Sequence, residues 1–79
     1  MTSDNVQTII GIVETTGKIS SIAPGDDFYD AGFSSINALQ LLLELEAAFD
    51  VTIPDDEFVT ARTCASLAAL VSRLTQETR

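Results

Sequence analysis

Residues 30–58, DAGFSSINALQLLLELEAAFDVTIPDDEF, carry the longest apolar periodicity in the chain. A polar, glycine-broken loop runs into two serines, and from Ser34 onward the apolar residues recur at helical spacing. Ile36, Leu39, Leu42 and Leu43 form a stripe that Leu45, Ala47 and Phe49 widen, while Asn37, Gln40, Glu44 and Ala48 take the other faces. The spacing predicts a helix over 34–49, with Ile36, Leu39 and Leu43 turned into the core. Pro54 disfavours helical geometry at Ile53, so DVTIP reads as a short extended link. Pro54-Asp55-Asp56-Glu57 then opens a short helix over 55–60, with acids in the turn where the helix dipole favours them.

Upstream, Val6, Ile9, Ile10 and Val13 recur at helical spacing, predicting a helix over 3–16 capped by Ser3 and ended by Gly17 in a left-handed turn. The segment GKISSIAPGDDFYDAGF, residues 17–33, reads as a long loop pinned to the core by Ile19, Ile22, Phe28 and Phe33. Downstream, Thr63 caps a last helix over 63–75 whose stripe is Leu67, Leu70, Val71 and Leu74, with Arg73 near its C-terminus. The expectation is an all-α, four-helix bundle with a short third helix, residues 1–79 forming one domain without repeat or linker.

At 79 residues, such a core is only marginally sufficient alone. The 46% hydrophobic content excludes a disordered chain, and no apolar run is long enough to span a bilayer. The N-terminus lacks the pattern of a secretory signal, so a cytoplasmic protein is expected. Nine of the twelve acids (Asp26, Asp27, Asp30, Glu44, Glu46, Asp50, Asp55, Asp56 and Glu57) fall in residues 26–57, a stretch with no Lys or Arg. That field repels nucleic acid and anionic membranes and suits a protein partner with a basic docking patch.

The residues for catalysis are sparse. With no histidine and a single cysteine, Cys64, neither a disulfide nor a usual zinc site can form, and Cys64 reads as a small core residue. A nucleophilic serine would need Lys18 or a carboxylate as its base, without the framing such catalysts use. A calcium loop starting at Asp27 fails because Tyr29, Ala31 and Ala38 occupy ligand positions. Two readings of the serine pair remain. One serine caps the helix, or one bears an anionic modification that the positive end of the helix tolerates; Ser34 as cap with Ser35 pointing outward satisfies both.

With GFSSI at a helix start, a leucine-rich helix and FDVTIP at its end, the chain resembles the acyl and peptidyl carrier proteins over essentially its whole length. The resemblance implies that Ser35 receives 4′-phosphopantetheine from coenzyme A through a magnesium-dependent phosphopantetheinyl transferase. The thiol of that arm would hold an acyl or aminoacyl group as a thioester, and the protein would be a non-catalytic shuttle. It also implies a monomer with no resident metal, charged by a loading ligase or acyltransferase and received by biosynthetic enzymes with basic docking patches. Asp30, Phe33, Ser34, Ile36, Asn37, Gln40 and Glu44 would form the docking surface. Fatty-acid synthesis carriers typically have acids at the positions of Ser34, Asn37, Gln40 and Ala47, and all four are uncharged here. The chain therefore looks more like discrete carriers of specialised acyl or aminoacyl transfer, with Asp26, Asp27, Asp30 and Glu44 steering partners. The alternative is an unmodified acidic helical docking or regulatory module that kept the fold.

Overall fold

The computed structural model describes the backbone of residues 2–77 and the side chains of residues 5–76. Four α-helices appear among them: α1 (Thr2–Gly17), α2 (Ala38–Phe49), α3 (Asp55–Thr60) and α4 (Cys64–Glu77), with a 3-10 turn, Ser35–Asn37, immediately before α2. The expected capping role of Ser3 lies outside the described side chains. Ile9 and Val13 of α1, Leu41 and Leu45 of α2, and Leu67 and Val71 of α4 are fully enclosed, and Phe58 of α3 closes the core from the side. Burial of a side chain of this kind contributes about 1.5–3 kcal/mol. Among the described residues, no buried side chain is polar or charged. The two described ion pairs, Arg62–Asp27 and Arg73–Glu57, are surface features, so apolar burial holds the bundle together.

The second helix departs from expectation in its start and in its facing. Ser34 is extended (φ −78°, ψ 136°), and its hydroxyl accepts a hydrogen bond from the Ile36 N–H at 3.2 Å. The first turn is then 3-10, and Asn37 (φ −89°, ψ 2°) marks the change to α geometry, so the regular helix begins at Ala38 and not at Ser34. Leu41, Leu42 and Leu45 point inward, with Ala38 and Phe49 packed partly beside them. Ile36 is 88% exposed, Leu39 66% and Leu43 51%. The stripe expected in the core thus lies in solvent. At 100° per residue, 38, 41, 42, 45 and 49 lie on one face and 36, 39 and 43 on the opposite one; α2 is apolar on both, and only the surrounding elements choose between them.

The segment between α1 and the 3-10 turn is tied down by its own backbone and acids. Phe28 N–H donates to Arg62 O at 3.0 Å, Ala65 N–H to Pro24 O at 3.0 Å, and Asp27 forms an isolated antiparallel bridge with Thr63. Ile22, Phe28 and Phe33 are buried and Ile19 packs against them, as the spacing of these residues predicted. The left-handed residue after α1 is Lys18 (φ 55°), not Gly17. Gly17 serves another need: a Cβ there would stand 2.4 Å from Phe33 Cδ2, so only glycine admits the Phe33 ring against the helix end. Gly32 has φ 117°, a conformation that side chains disfavour, and it turns the chain into the serines.

The remaining caps follow chain chemistry. Thr63 Oγ1 accepts from Ser66 N–H at 3.0 Å while Ser66 Oγ accepts from Thr63 N–H at 3.2 Å, a reciprocal box that starts α4. Glu46 accepts from Ile53 N–H at 2.9 Å, fastening the extended link back onto α2. Asp50 (φ 55°) closes α2 in the left-handed region. α4 runs on to Glu77, past the expected end at Thr75.

Candidate functional site

Ser34 and Ser35 divide the work of the junction. Ser34 spends its hydroxyl as the cap of the 3-10 turn. Ser35, one residue on, is exposed and lies at the edge of a groove of about 490 Å3 lined by Tyr29, Phe33, Ser35, Ala38, Val59 and Arg62. The extended geometry of Ser34 separates the two serines' roles: its side chain turns back to the backbone, while the next residue enters the turn facing out.

Aromatic packing and one ion pair shape the groove. Phe28, Tyr29 and Phe33 form a cluster with ring centroids 4.8–5.8 Å apart, Phe33 meeting both others edge-on. Arg62 lies over the Tyr29 ring, 4.7 Å from its centroid, and its Nε donates to Asp27 Oδ2 at 2.6 Å. Asp27 also accepts from the Tyr29 and Asp30 N–H groups at 2.9 and 3.2 Å. The Arg62 hydrogen bond holds the Asp27 carboxyl below its ordinary range, with the Asp30 and Tyr29 N–H groups adding to the effect against desolvation. Desolvation pushes the Tyr29 hydroxyl up. Burial pushes the Cys64 thiol up to about 11, consistent with an inert core residue.

The residues expected on the docking surface separate into three groups. Ser34, Ile36, Gln40, Glu44 and Asp30 are exposed, and Gln40 Nε2 donates to Glu44 at 2.7 Å. Asn37 is half-buried. Phe33 is 3% exposed and belongs to the core, a correction that follows from its seat against Gly17. Asp26 and Asp27, expected to steer partners, are occupied with structure: Asp26 accepts from Ala23 N–H at 3.0 Å, and Asp27 holds Arg62. Sequence reasoning missed Leu39 and Leu43 as surface residues and Tyr29, Val59 and Arg62 as neighbours of Ser35. Arg62 carried a signal, as the first cation after Lys18. Val59 carried another, beside Phe58 on a helix too short to bury two adjacent residues.

A groove beside an exposed serine, with apolar walls and a cation, suits a covalently attached arm of mixed polarity. The family model for the phosphopantetheine attachment site matches residues 6–71. The chain belongs to that family. Its members carry 4′-phosphopantetheine covalently, and the exposed Ser35 hydroxyl with its open groove fits such a group. The aminoacyl carrier protein of Agrobacterium fabrum is 38% identical over 52 residues, covering 66% of this chain and 61% of that protein. Aminoacyl carrier protein 1 of Bradyrhizobium diazoefficiens is 33% identical over 52 residues, covering 66% and 58%. A mitochondrial acyl carrier protein of Dictyostelium discoideum is 30% identical over 59 residues, covering 72% and 49%. The matched stretch thus spans under two thirds of each relative. In fold, the chain superposes with a TM-score of 0.83 at 23% identity on the solution structure of a non-covalent extended docking domain complex of the Pax NRPS, over 92% of this chain and 70% of that one. The likeness to that structure is one of fold, four helices in a compact bundle. Among the described residues, no helix is long and apolar enough to cross a membrane, and no cluster of three acids or thiols is arranged for a metal.

Proposed function

We propose that Ser35 is the attachment point of 4′-phosphopantetheine and that the protein is a discrete carrier of aminoacyl or acyl groups between enzymes of a biosynthetic pathway. The observation that carries the reading is the division of the serines: Ser34 is consumed as a cap, and Ser35 stands exposed at a groove beside it. The arm supplies a thiol that holds the cargo as a thioester. The chain supplies the rest: a hydroxyl presented to a phosphopantetheinyl transferase, a rigid helix junction and a surface for partners. Aminoacyl cargo is favoured over acyl by similarity to two aminoacyl carrier proteins. A loading ligase would then charge the arm with an amino acid.

Partners dock, in this reading, on the exposed apolar residues Ile36, Leu39, Leu43 and Val59, with the exposed acids Asp30, Asp55 and Asp56 supplying the charge. The apolar residues contribute affinity through desolvation, and the acids quicken encounter with a basic enzyme surface. The test is intact mass before and after incubation with coenzyme A, Mg2+ and a broad-specificity phosphopantetheinyl transferase. Wild type and Ser34→Ala should gain one phosphopantetheine and Ser35→Ala none. Gain by Ser35→Ala would move the attachment point to another residue, and none by wild type with several transferases would leave the unmodified docking module as the better account. Charging of the modified form by an adenylating ligase with ATP and an amino acid, against acyl donors, separates the two cargo classes.

A further inference from the structure

We propose that the groove beside Ser35 seats the near half of the phosphopantetheine arm, with Arg62 as the positioning residue that donates to an amide carbonyl of the arm; the inference rests on attachment at Ser35. The arm runs from an anionic phosphodiester through a gem-dimethyl carbon and a hydroxyl to two amides and the thiol. The groove presents matching chemistry: Phe33, Ala38, Val59 and the Tyr29 ring for the methyl groups, and one cation for a polar acceptor. Its volume, about 490 Å3, lies in the range of small-molecule sites.

Arg62 is held ready for such a contact. Asp27 engages its Nε at 2.6 Å and Tyr29 lies beneath its guanidinium, so the plane is fixed before any ligand arrives. A guanidinium has five N–H donors, and a fixed one loses little freedom on accepting a further partner. The choice of acceptor follows from its neighbours. Asp27 and Asp30 both act electrostatically on Arg62. A third anion would meet two carboxylates around one cation, whereas a neutral carbonyl meets no such repulsion. Arg62 therefore suits an amide of the arm better than its phosphate. The near half of the arm rests on the protein, and the thiol half remains free to reach a partner.

The experiment uses isotopically labelled full-length protein converted to the modified form, with intact mass recorded first. Expected in wild type are a gain of one phosphopantetheine, nuclear Overhauser contacts from the gem-dimethyl protons to the Val59 methyls and the Tyr29 ring, and a shift of the Arg62 Nε–H. The same treatment of Ser35→Ala should produce none of these. Arg62→Met, which keeps the aliphatic stem without the donors, should gain the mass and lose the contacts at least several-fold. Asp26→Ala, which removes the acceptor of the Ala23 N–H without touching Arg62, should keep them and so separates arm seating from loosening of the loop. Full mass gain without methyl contacts in wild type, contacts undiminished in Arg62→Met, or equal loss in Asp26→Ala would overturn the proposal. Absence of mass gain would overturn attachment at Ser35, and the groove assignment with it.

Discussion

The two faces of α2 are nearly equal in hydrophobicity and opposite in fate. Leu41, Leu42 and Leu45 are buried in the core, while Ile36, Leu39 and Leu43 stand in solvent. A globular helix ordinarily keeps one polar face, and an exposed apolar row marks a surface meant to be covered by something else. Hydrophobicity along this helix serves folding on one side, and on the other it supplies the surface proposed above for docking.

Substitutions can break that comparison directly. Leu45→Ala should cost about 2–5 kcal/mol of stability by opening a cavity in an enclosed site, whereas Leu39→Ala should stay within about 0.5 kcal/mol. Urea denaturation of both variants reads the difference, and equal losses would mean that the faces are not distinct. At the next scale, Gly17→Ala should cost about 1–3 kcal/mol by forcing Phe33 out of its seat, seen as a lower melting temperature with displaced Phe33 ring resonances. On the outward face, Ile36→Ser with Leu39→Ser should slow modification or loading about tenfold, the equivalent of about 1.4 kcal/mol, without changing stability. Unchanged rates that fall steeply with salt would instead assign docking to the acids.

The smallest effect concerns the loop that carries Asp27. Its carboxyl titrates below the ordinary value of 3.8 when folded, so the stabilisation it brings is present above about pH 4 and is lost as pH falls through the lower folded value. The stability difference between wild type and Asp27→Asn should therefore be constant from pH 7 to 5 and shrink below pH 4. A difference that widened in acid would contradict the sign of this shift.

Much of the architecture was legible because it rests on local chemistry. The helices around Ile9 and Leu67, the Thr63 cap, the helix opened by Pro54 and the loop anchored by Ile22, Phe28 and Phe33 all follow from spacing and capping. The facing of α2 was not legible: LQLLLEL offers two apolar stripes, and the choice depends on a 3-10 turn at Ser35 and on where α1 and α4 lie. Within the site, Ser35 stood out by its motif, but the groove did not. Tyr29, Val59 and Arg62 are brought to the serine only when the loop and the α3–α4 connection meet through Phe28 N–H and Arg62 O. Likewise Gly17 reads as a helix end in sequence, and only the Phe33 ring beside it reveals its second role.

Seven acids of this chain, a single colour on any charge map, are of two kinds once their hydrogen bonds are known. Glu14, Asp26, Asp27 and Glu46 each receive a backbone N–H and hold a turn or link in place. Asp30, Asp55 and Asp56 are exposed, with no side-chain hydrogen bond among those described. Re-engineering the protein toward a different enzyme can therefore repaint Asp55 and Asp56, whereas the first set belongs to the scaffold and must be left alone.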